Sequence, residues 1–233
     1  MQVVVLCGGK GTRLNELTKE IPKPLIEIGN KPIIFHIMNT YSNQGHKDFI
    51  LCLGHKGSMI RDYFNKNKNK DWNITFLDTG LETNKAERLK QAEDFIKEEN
   101  FFLTYGDDLS DVDIKNLSEY HKKNKKIVTL TAVQLQSPFG ILDLNDGNEV
   151  IGFKEKPKLE YYMNGGYFVM NKKIFSYLKQ GYDLEKEVLK ELAKESQISA
   201  FLHKGFWKSM NTLKDVIELN EMWESNQLKE ILK

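Results

Sequence analysis

The sequence predicts an α/β fold: a mainly parallel sheet with helices on both faces, followed by a smaller mixed β and helical part at the C-terminus. Three observations predict it. Short runs rich in β-branched and aromatic residues alternate with amphipathic stretches from Val3 to Leu135. The first of these runs empties directly into a glycine-rich loop, Gly8-Gly9-Lys10-Gly11. After about Gln136 the rhythm changes to a hairpin pattern and mixed short elements. The 233 residues are 40% hydrophobic and 29% charged, enough for one large buried core. No Pro/Ser-rich linker divides them, so a single domain over 1–233 is expected, with parts 1–135 and 136–233.

The elements follow in order. Val3–Cys7 reads as a strand. Pro32, a good first helical residue, introduces a helix over Ile33–Tyr41. Phe49–Leu53 is a second strand, Ser58–Asn65 a short helix and Ile74–Leu77 a third strand. Asn84, with Glu87 three residues on, forms a capping box for a helix running to about Glu98. Phe101–Thr104 is a strand ending at Gly106-Asp107, Ile114–Lys123 a helix capped by Asp111 or Asp113, and Ile127–Leu135 a long strand. Gly140–Leu144 and Glu149–Lys154 flank an Asn145-Asp146-Gly147-Asn148 turn and form a hairpin. Tyr167–Met170 is a strand, Leu184–Glu195 a helix, Ile198–Leu202 a strand and Thr212–Ser225 a closing helix.

Composition excludes several classes. Thirty-four basic against 33 acidic residues leave a net charge of +1, unlike a dedicated nucleic-acid binder. No apolar run approaches the ~18 residues of a membrane span, so no membrane partner is expected. Cys7 and Cys52 both sit in apolar strands and read as buried thiols of a reducing compartment. The Val3–Cys7 run is too short for a signal peptide and lacks a basic flank, so a cytoplasmic location is expected. The five histidines have no ligand-like spacing, and His36 reads as a packed core residue. Only three of the basic residues are arginines, Arg13, Arg61 and Arg88, and each invites a specific role.

The segment that carries chemistry is Leu6-Cys7-Gly8-Gly9-Lys10-Gly11-Thr12-Arg13-Leu14, with Pro22-Lys23-Pro24 behind it. A strand feeding a glycine loop places it at the carboxyl edge of the sheet, where open α/β folds bind ligands. Glycines let backbone N–H groups approach phosphate oxygens. Thr12 adds a hydroxyl, Arg13 a forked cation suited to phosphate, and Lys23 an ammonium on a stiffened backbone. No Lys-Ser/Thr follows the glycines, and Leu14 stands where a dinucleotide fingerprint needs a third glycine, so neither familiar nucleotide loop is present. Thr104-Tyr105-Gly106-Asp107-Asp108 places carboxylates after an apolar strand at the same edge, and Mg²⁺ typically takes one or two carboxylates plus substrate phosphates.

Gly8-Gly9-Lys10-Gly11-Thr12-Arg13-Leu14 followed by Pro22-Lys23-Pro24 resembles the signature of the sugar-1-phosphate nucleotidyltransferases. Gly29-Asn30-Lys31-Pro32-Ile33, His36-Ile37-Met38, Lys47-Asp48-Phe49-Ile50, Asp78-Thr79-Gly80, Thr104–Asp107, Glu155-Lys156-Pro157, Asn164-Gly165-Gly166 and Gly205-Phe206-Trp207 resemble, in that order, the glucose-1-phosphate cytidylyltransferases. The resemblance covers nearly the whole chain. It implies the Rossmann-like nucleotide-diphospho-sugar transferase fold, with a nucleotide-binding core over 1–135 and acceptor-binding residues in 136–233. It implies that Leu6, Gly8, Gly9, Gly11, Thr12, Thr79, Gly80 and Arg88 surround CTP. Arg13 and Lys23 would hold its triphosphate and, with Asp107, carry catalysis. Asp107 and Asn211 would face Mg²⁺, while Lys156, Asn164 and Gly165 would bind a small phosphorylated acceptor. The expected reaction joins CTP to a sugar 1-phosphate, giving a CDP-sugar for cell-surface polysaccharide and pyrophosphate. A homo-oligomer is expected.

The chain departs from that pattern in three places. Asn211 precedes Thr212 where the family has Asp, usually the second Mg²⁺ carboxylate; Asp108, Asp111 and Asp215 are the acids that could compensate. Ala86-Glu87 replaces a glycine pair before Arg88-Leu89. The stretch between Phe64 and Trp72 is shortened, which opens the question of assembly and acceptor. Three readings therefore compete with the leading one: the same chemistry on another nucleotide, a non-sugar acceptor of the phosphocholine or phosphorylated-amide type, and a nucleotide-binding homologue impaired by Asn211.

Overall fold

The computed structural model describes residues 1–232, with residues 15 and 16 described by their backbone alone. The chain opens with β1 (Val3–Leu6), passes α1 (Asn15–Thr18), and makes a small ribbon of β2 (Glu27–Ile28) and β3 (Lys31–Pro32). Then come α2 (Ile33–Asn43), β4 (Asp48–Leu53), α3 (Gly57–Lys66), β5 (Asn73–Asp78), α4 (Lys85–Gln91), β6 (Asn100–Tyr105), β7 (Asp108–Ser110), α5 (Ile114–Asn124) and β8 (Val128–Val133). A hairpin of β9 (Ile141–Leu144) and β10 (Val150–Lys154) precedes β11 (Met163–Asn171). A single wide turn over Leu184–Val188 leads into α6 (Leu189–Lys194), β12 (Ile198–His203), β13 (Trp207–Ser209), α7 (Leu213–Glu224) and α8 (Gln227–Ile231). Among the described residues, no helix is long and apolar enough to cross a membrane.

Seven strands form the central sheet in the order β12-β8-β11-β6-β1-β4-β5. All pair in parallel except β11, which runs antiparallel between β8 and β6. Helices cover both faces, so the strands read as continuous apolar runs while their side chains alternate between two cores. Val3, Val5 and Cys7 join one core with Phe49, Leu51 and α2; Val4 and Leu6 join the other with Ile50, Cys52 and α4. Strands from both 1–135 and 136–233 share this sheet.

The antiparallel β11 matters for the site. Because it runs against its neighbours, its beginning lies at the edge where β1, β6 and β8 end. Asn164 sits opposite Ala132, and Tyr167 opposite Thr104, with an irregularity between Asn164 and Phe168. The loop after β1, the loop after β6 and the start of β11 therefore converge.

Several expected boundaries differ. The helix expected to reach Glu98 ends at Gln91 and gives way to a tight turn over Glu93–Phe95. Gln2 explains this: its amide donates to the Phe95 carbonyl and accepts from the Lys97 N–H, tying that backbone to β1. The helix expected over Leu184–Glu195 begins with the wide turn, whose backbone Asp183 caps through Glu185 and Lys186. Thr212–Ser225 is not the last helix, since α8 follows. The three-residue strands β7 and β13 were legible only as motifs.

One buried group sets a pH limit on stability. His121 on α5 packs under β8, hydrogen-bonded to Thr129 at 2.8 Å and to Asn100 at 3.3 Å. Burial lowers its pKa from 6.5 to about 4. The neutral ring is the folded form, so its contribution is full above pH 6.5 and declines as pH falls toward 4. At pH 5 it is expected to cost about 2 kcal/mol. Urea midpoints of wild type and His121→Gln at pH 7.5 and pH 5 check this: the acid loss should shrink in the variant.

Candidate active site

The glycine loop after β1 is held by Arg88 from α4. Arg88 is 4% exposed, buried beneath the loop rather than projecting from it. Its Nη1 donates to the Leu53 carbonyl (3.0 Å), the Thr79 hydroxyl (2.5 Å) and the Gly80 carbonyl (2.8 Å). Its Nη2 donates to the carbonyls of Gly8 (3.1 Å) and Leu81 (3.3 Å). A Cβ on Gly8 would lie 2.3 Å from Nη1, so the chain must be glycine there. The guanidinium thus stitches together the ends of β1, β4 and β5. The Ala86-Glu87 departure has a local reason: Ala86 is buried, and Glu87 completes the capping box with Asn84 at the start of α4.

Lys23 lies in a tight turn between Pro22 and Pro24. Its Nζ donates to Asp107 Oδ2 at 2.5 Å and to Asn211 Oδ1 at 3.0 Å. Residues 84 and 188 positions apart meet on one ammonium because of β7 and β13. These strands pair antiparallel, Asp108 opposite Ser209, and the Met210 N–H donates to the Asp107 carbonyl at 2.9 Å. Asn211 is further fixed by its amide, which donates to Ser209 Oγ at 2.8 Å, and by its N–H, which donates to Asp215.

These groups line a cavity of about 640 Å³. Leu6, Gly8, Gly9, Gly11, Thr12, Arg13, Lys23, Arg88, Asp107 and Asn211 are on its wall, as the sequence reading places them. Thr79 and Gly80 are not: Thr79 is buried against Arg88 and Leu53, and Gly80 turns outward with a φ of 88°. Lys156, Asn164 and Gly165 also stand off that wall. Lys156 is exposed beside Glu155, 3.8 Å away. The Asn164 side chain accepts from Gly166 N at 3.0 Å, fixing the start of β11. Trp207 donates from its indole to the Gly165 carbonyl at 2.7 Å, supporting β11 from behind.

Lys85, Tyr105, Asp108, Asp183 and Ser209 also line it. Tyr105 donates to Glu185 at 2.6 Å, and Lys85 pairs with the same carboxylate while lying 4.4 Å from the Tyr105 ring centroid. Burial, reinforced by Glu185, raises the Tyr105 phenol well above its ordinary pKa, so it stays protonated. Burial, with Asp107 beside it, raises the Asp108 carboxyl to about 7, against the lowering pull of Ser209 and Lys23. Burial also pushes both cysteine thiols up, which leaves them unreactive.

Residues 2–226 match the Nucleotidyl transferase family. The chain belongs to that family. The glucose-1-phosphate cytidylyltransferase of Salmonella typhimurium is 40% identical over 251 residues, covering 97% of this chain and 97% of its own. The mannose-1-phosphate guanyltransferase of Saccharomyces cerevisiae is 32% identical over 227 residues, covering 93% of this chain and 63% of its own. Among solved structures, HddC from Yersinia pseudotuberculosis superposes with a TM-score of 0.75 at 25% identity, covering 95% of this chain and 99% of that one.

The glycine loop, Thr12, Arg13 and Lys23 form one wall of the cavity. Tyr105, Lys85, Asp108 and Asp183 line the rest. Tyr105 lies in the Thr104–Asp108 motif but has no role in the sequence reading, and Asp108 is singled out there only as one of three acids that could compensate for Asn211. Ser209 and Lys85 carried no signal, because only β13 and α4 packing bring them in.

Proposed function

We propose that the chain is a cytidylyltransferase that joins CTP to a sugar 1-phosphate, releasing pyrophosphate and a CDP-sugar. The observation that carries this reading is the position of Lys23: one ammonium, on a backbone set between two prolines, donates to both Asp107 and Asn211 on the wall that the glycine loop shares. The 40% identity to a glucose-1-phosphate cytidylyltransferase over nearly the full chain supports the choice of base and acceptor.

The oxygen donors facing the cavity suit a hard divalent cation: the carboxyls of Asp107 and Asp108, the Asn211 carbonyl and the Ser209 hydroxyl. Asp107 and Asn211 would hold Mg²⁺, which supplies charge neutralisation when bound.

The remaining chemistry belongs to the chain. An oxygen of the acceptor phosphate forms a bond to the α-phosphorus of CTP, in line with the breaking bond to the β-phosphate oxygen, and the electron pair leaves with pyrophosphate. Arg13 and Lys23 neutralise charge on the triphosphate, and the loop N–H groups orient it. Catalysis is positioning and electrostatics, without a covalent enzyme intermediate.

The test is pyrophosphate release with Mg²⁺ across CTP, UTP, GTP and dTTP, each against sugar 1-phosphates, phosphocholine and a phosphorylated amide. Release confined to CTP with a sugar 1-phosphate is expected. Release with GTP or with a non-sugar phosphate would replace the substrate while keeping the chemistry. CTP binding without release in any pairing would replace the enzyme with a nucleotide-binding homologue.

A further inference from the structure

Three acids could restore the charge missing at Asn211, and the structure separates them. Asp111 is engaged elsewhere, 3.0 Å from His203. Asp215 closes the capping box of α7, accepting from the Asn211 and Thr212 N–H groups, and lies 3.7 Å from Lys208. Neither lines the cavity. Asp108 does, beside Asp107, Lys23, Ser209 and Asn211.

Asp108 is 5% exposed and takes part in no ion pair among the described residues. Its neighbour Asp107 has the Lys23 ammonium at 2.5 Å. The β7–β13 ladder sets Asp108 against Ser209, whose hydroxyl also accepts from the Asn211 amide. Gly166 makes the space: with a φ of 76°, it would bring a Cβ within 2.3 Å of Asp108 Oδ2. A buried carboxylate without a counter-charge is costly, and a cation in the adjoining cavity removes that cost.

We propose that Asp108 carries the second negative charge of the divalent-cation site in this chain, with Asn211 contributing a neutral amide oxygen. The charge of the carboxylate pair is thereby kept, but on consecutive residues of one loop. This inference rests on the reading that the cavity takes a divalent cation with its nucleotide.

The test uses Mn²⁺ as the probe on the full chain, following loss of the free-ion EPR signal with and without CTP. Asp108→Asn is expected to weaken Mn²⁺ binding by about 10-fold or more. Adding Asn211→Asp to that variant should recover most of the loss, which a merely structural role would not allow. Asn211→Asp alone should tighten binding, and it carries the test should Asp108→Asn fail to fold. Unchanged Mn²⁺ affinity in a folded Asp108→Asn protein, or failure of the second substitution to restore it, overturns the proposal. So does a raised acceptor KM with unchanged Mn²⁺ affinity, which would make Asp108 an acceptor group. Cation binding needs no turnover, so a protein that binds Mn²⁺ as expected but releases no pyrophosphate would sink the proposed reaction and leave this assignment standing.

Discussion

Replacing Lys23 with methionine is expected to lower pyrophosphate release by about 10²–10³-fold, in line with the loss of one preorganised charge-stabilising donor. In the proposed reaction the ammonium, bonded to Asp107 and Asn211, would act on charge that grows as pyrophosphate leaves. The effect should therefore fall mainly on kcat, with a smaller change in the KM for CTP. Stability should move little: Lys23 is held by prolines rather than by its charge, and its loss relieves Asp107 of a partner at a partly solvated site. A Lys23→Met protein with normal kcat would show that the bridge is a resting contact without a part in the chemistry.

Arg88 should behave in the opposite way. Arg88→Met leaves five hydrogen bonds unmade, four of them to backbone carbonyls at the buried ends of β1, β4 and β5. The Leu53 and Gly8 carbonyls keep the Thr79 and His55 N–H groups, so the cost is that of several charge-assisted hydrogen bonds, about 3–5 kcal/mol, or roughly 10 °C in melting temperature for a chain of this size. Lysine reaches fewer of those oxygens and should recover only part of it. Loss of CTP binding should accompany loss of stability, because the glycine loop is what Arg88 holds in place. Normal melting with selectively weakened CTP binding would instead make Arg88 a direct nucleotide contact, as the family resemblance implies.

Much of the molecule was legible in the sequence, for identifiable reasons. Period-2 packing on a two-faced sheet gives runs such as Val3–Leu6 and Phe49–Leu53, which mark strands without ambiguity. Asn84 with Glu87 announces a helix start through its own side chain, and of the two acids that could cap α5, Asp111 and Asp113, it is Asp113 that does so. What stayed hidden depends on distant partners. The end of α4 is decided by Gln2, about 90 residues away in sequence. Strands β7 and β13 exist only because they pair with each other, and three residues carry no period of their own. The direction of β11 is likewise invisible along the chain, yet it brings Gly166 against Tyr105 and Asp108.

The site divides along the same line. The glycine loop, Arg13, Lys23 and Asp107, residue types that phosphate binding would favour, do meet on one cavity. The interior placement of Arg88 and Thr79 was not readable, since a buried arginine bound to carbonyls and a ligand-facing arginine look alike in sequence.

The most direct test of the account is the product itself. Phosphorus NMR of the wild-type protein with Mg²⁺, CTP and glucose 1-phosphate should show a new asymmetric diphosphate and pyrophosphate growing in equal amounts. Both should vanish when either substrate is left out. Pyrophosphate formed without acceptor, or no new diphosphate with any nucleotide and sugar 1-phosphate, would contradict the claim that one cavity joins the two.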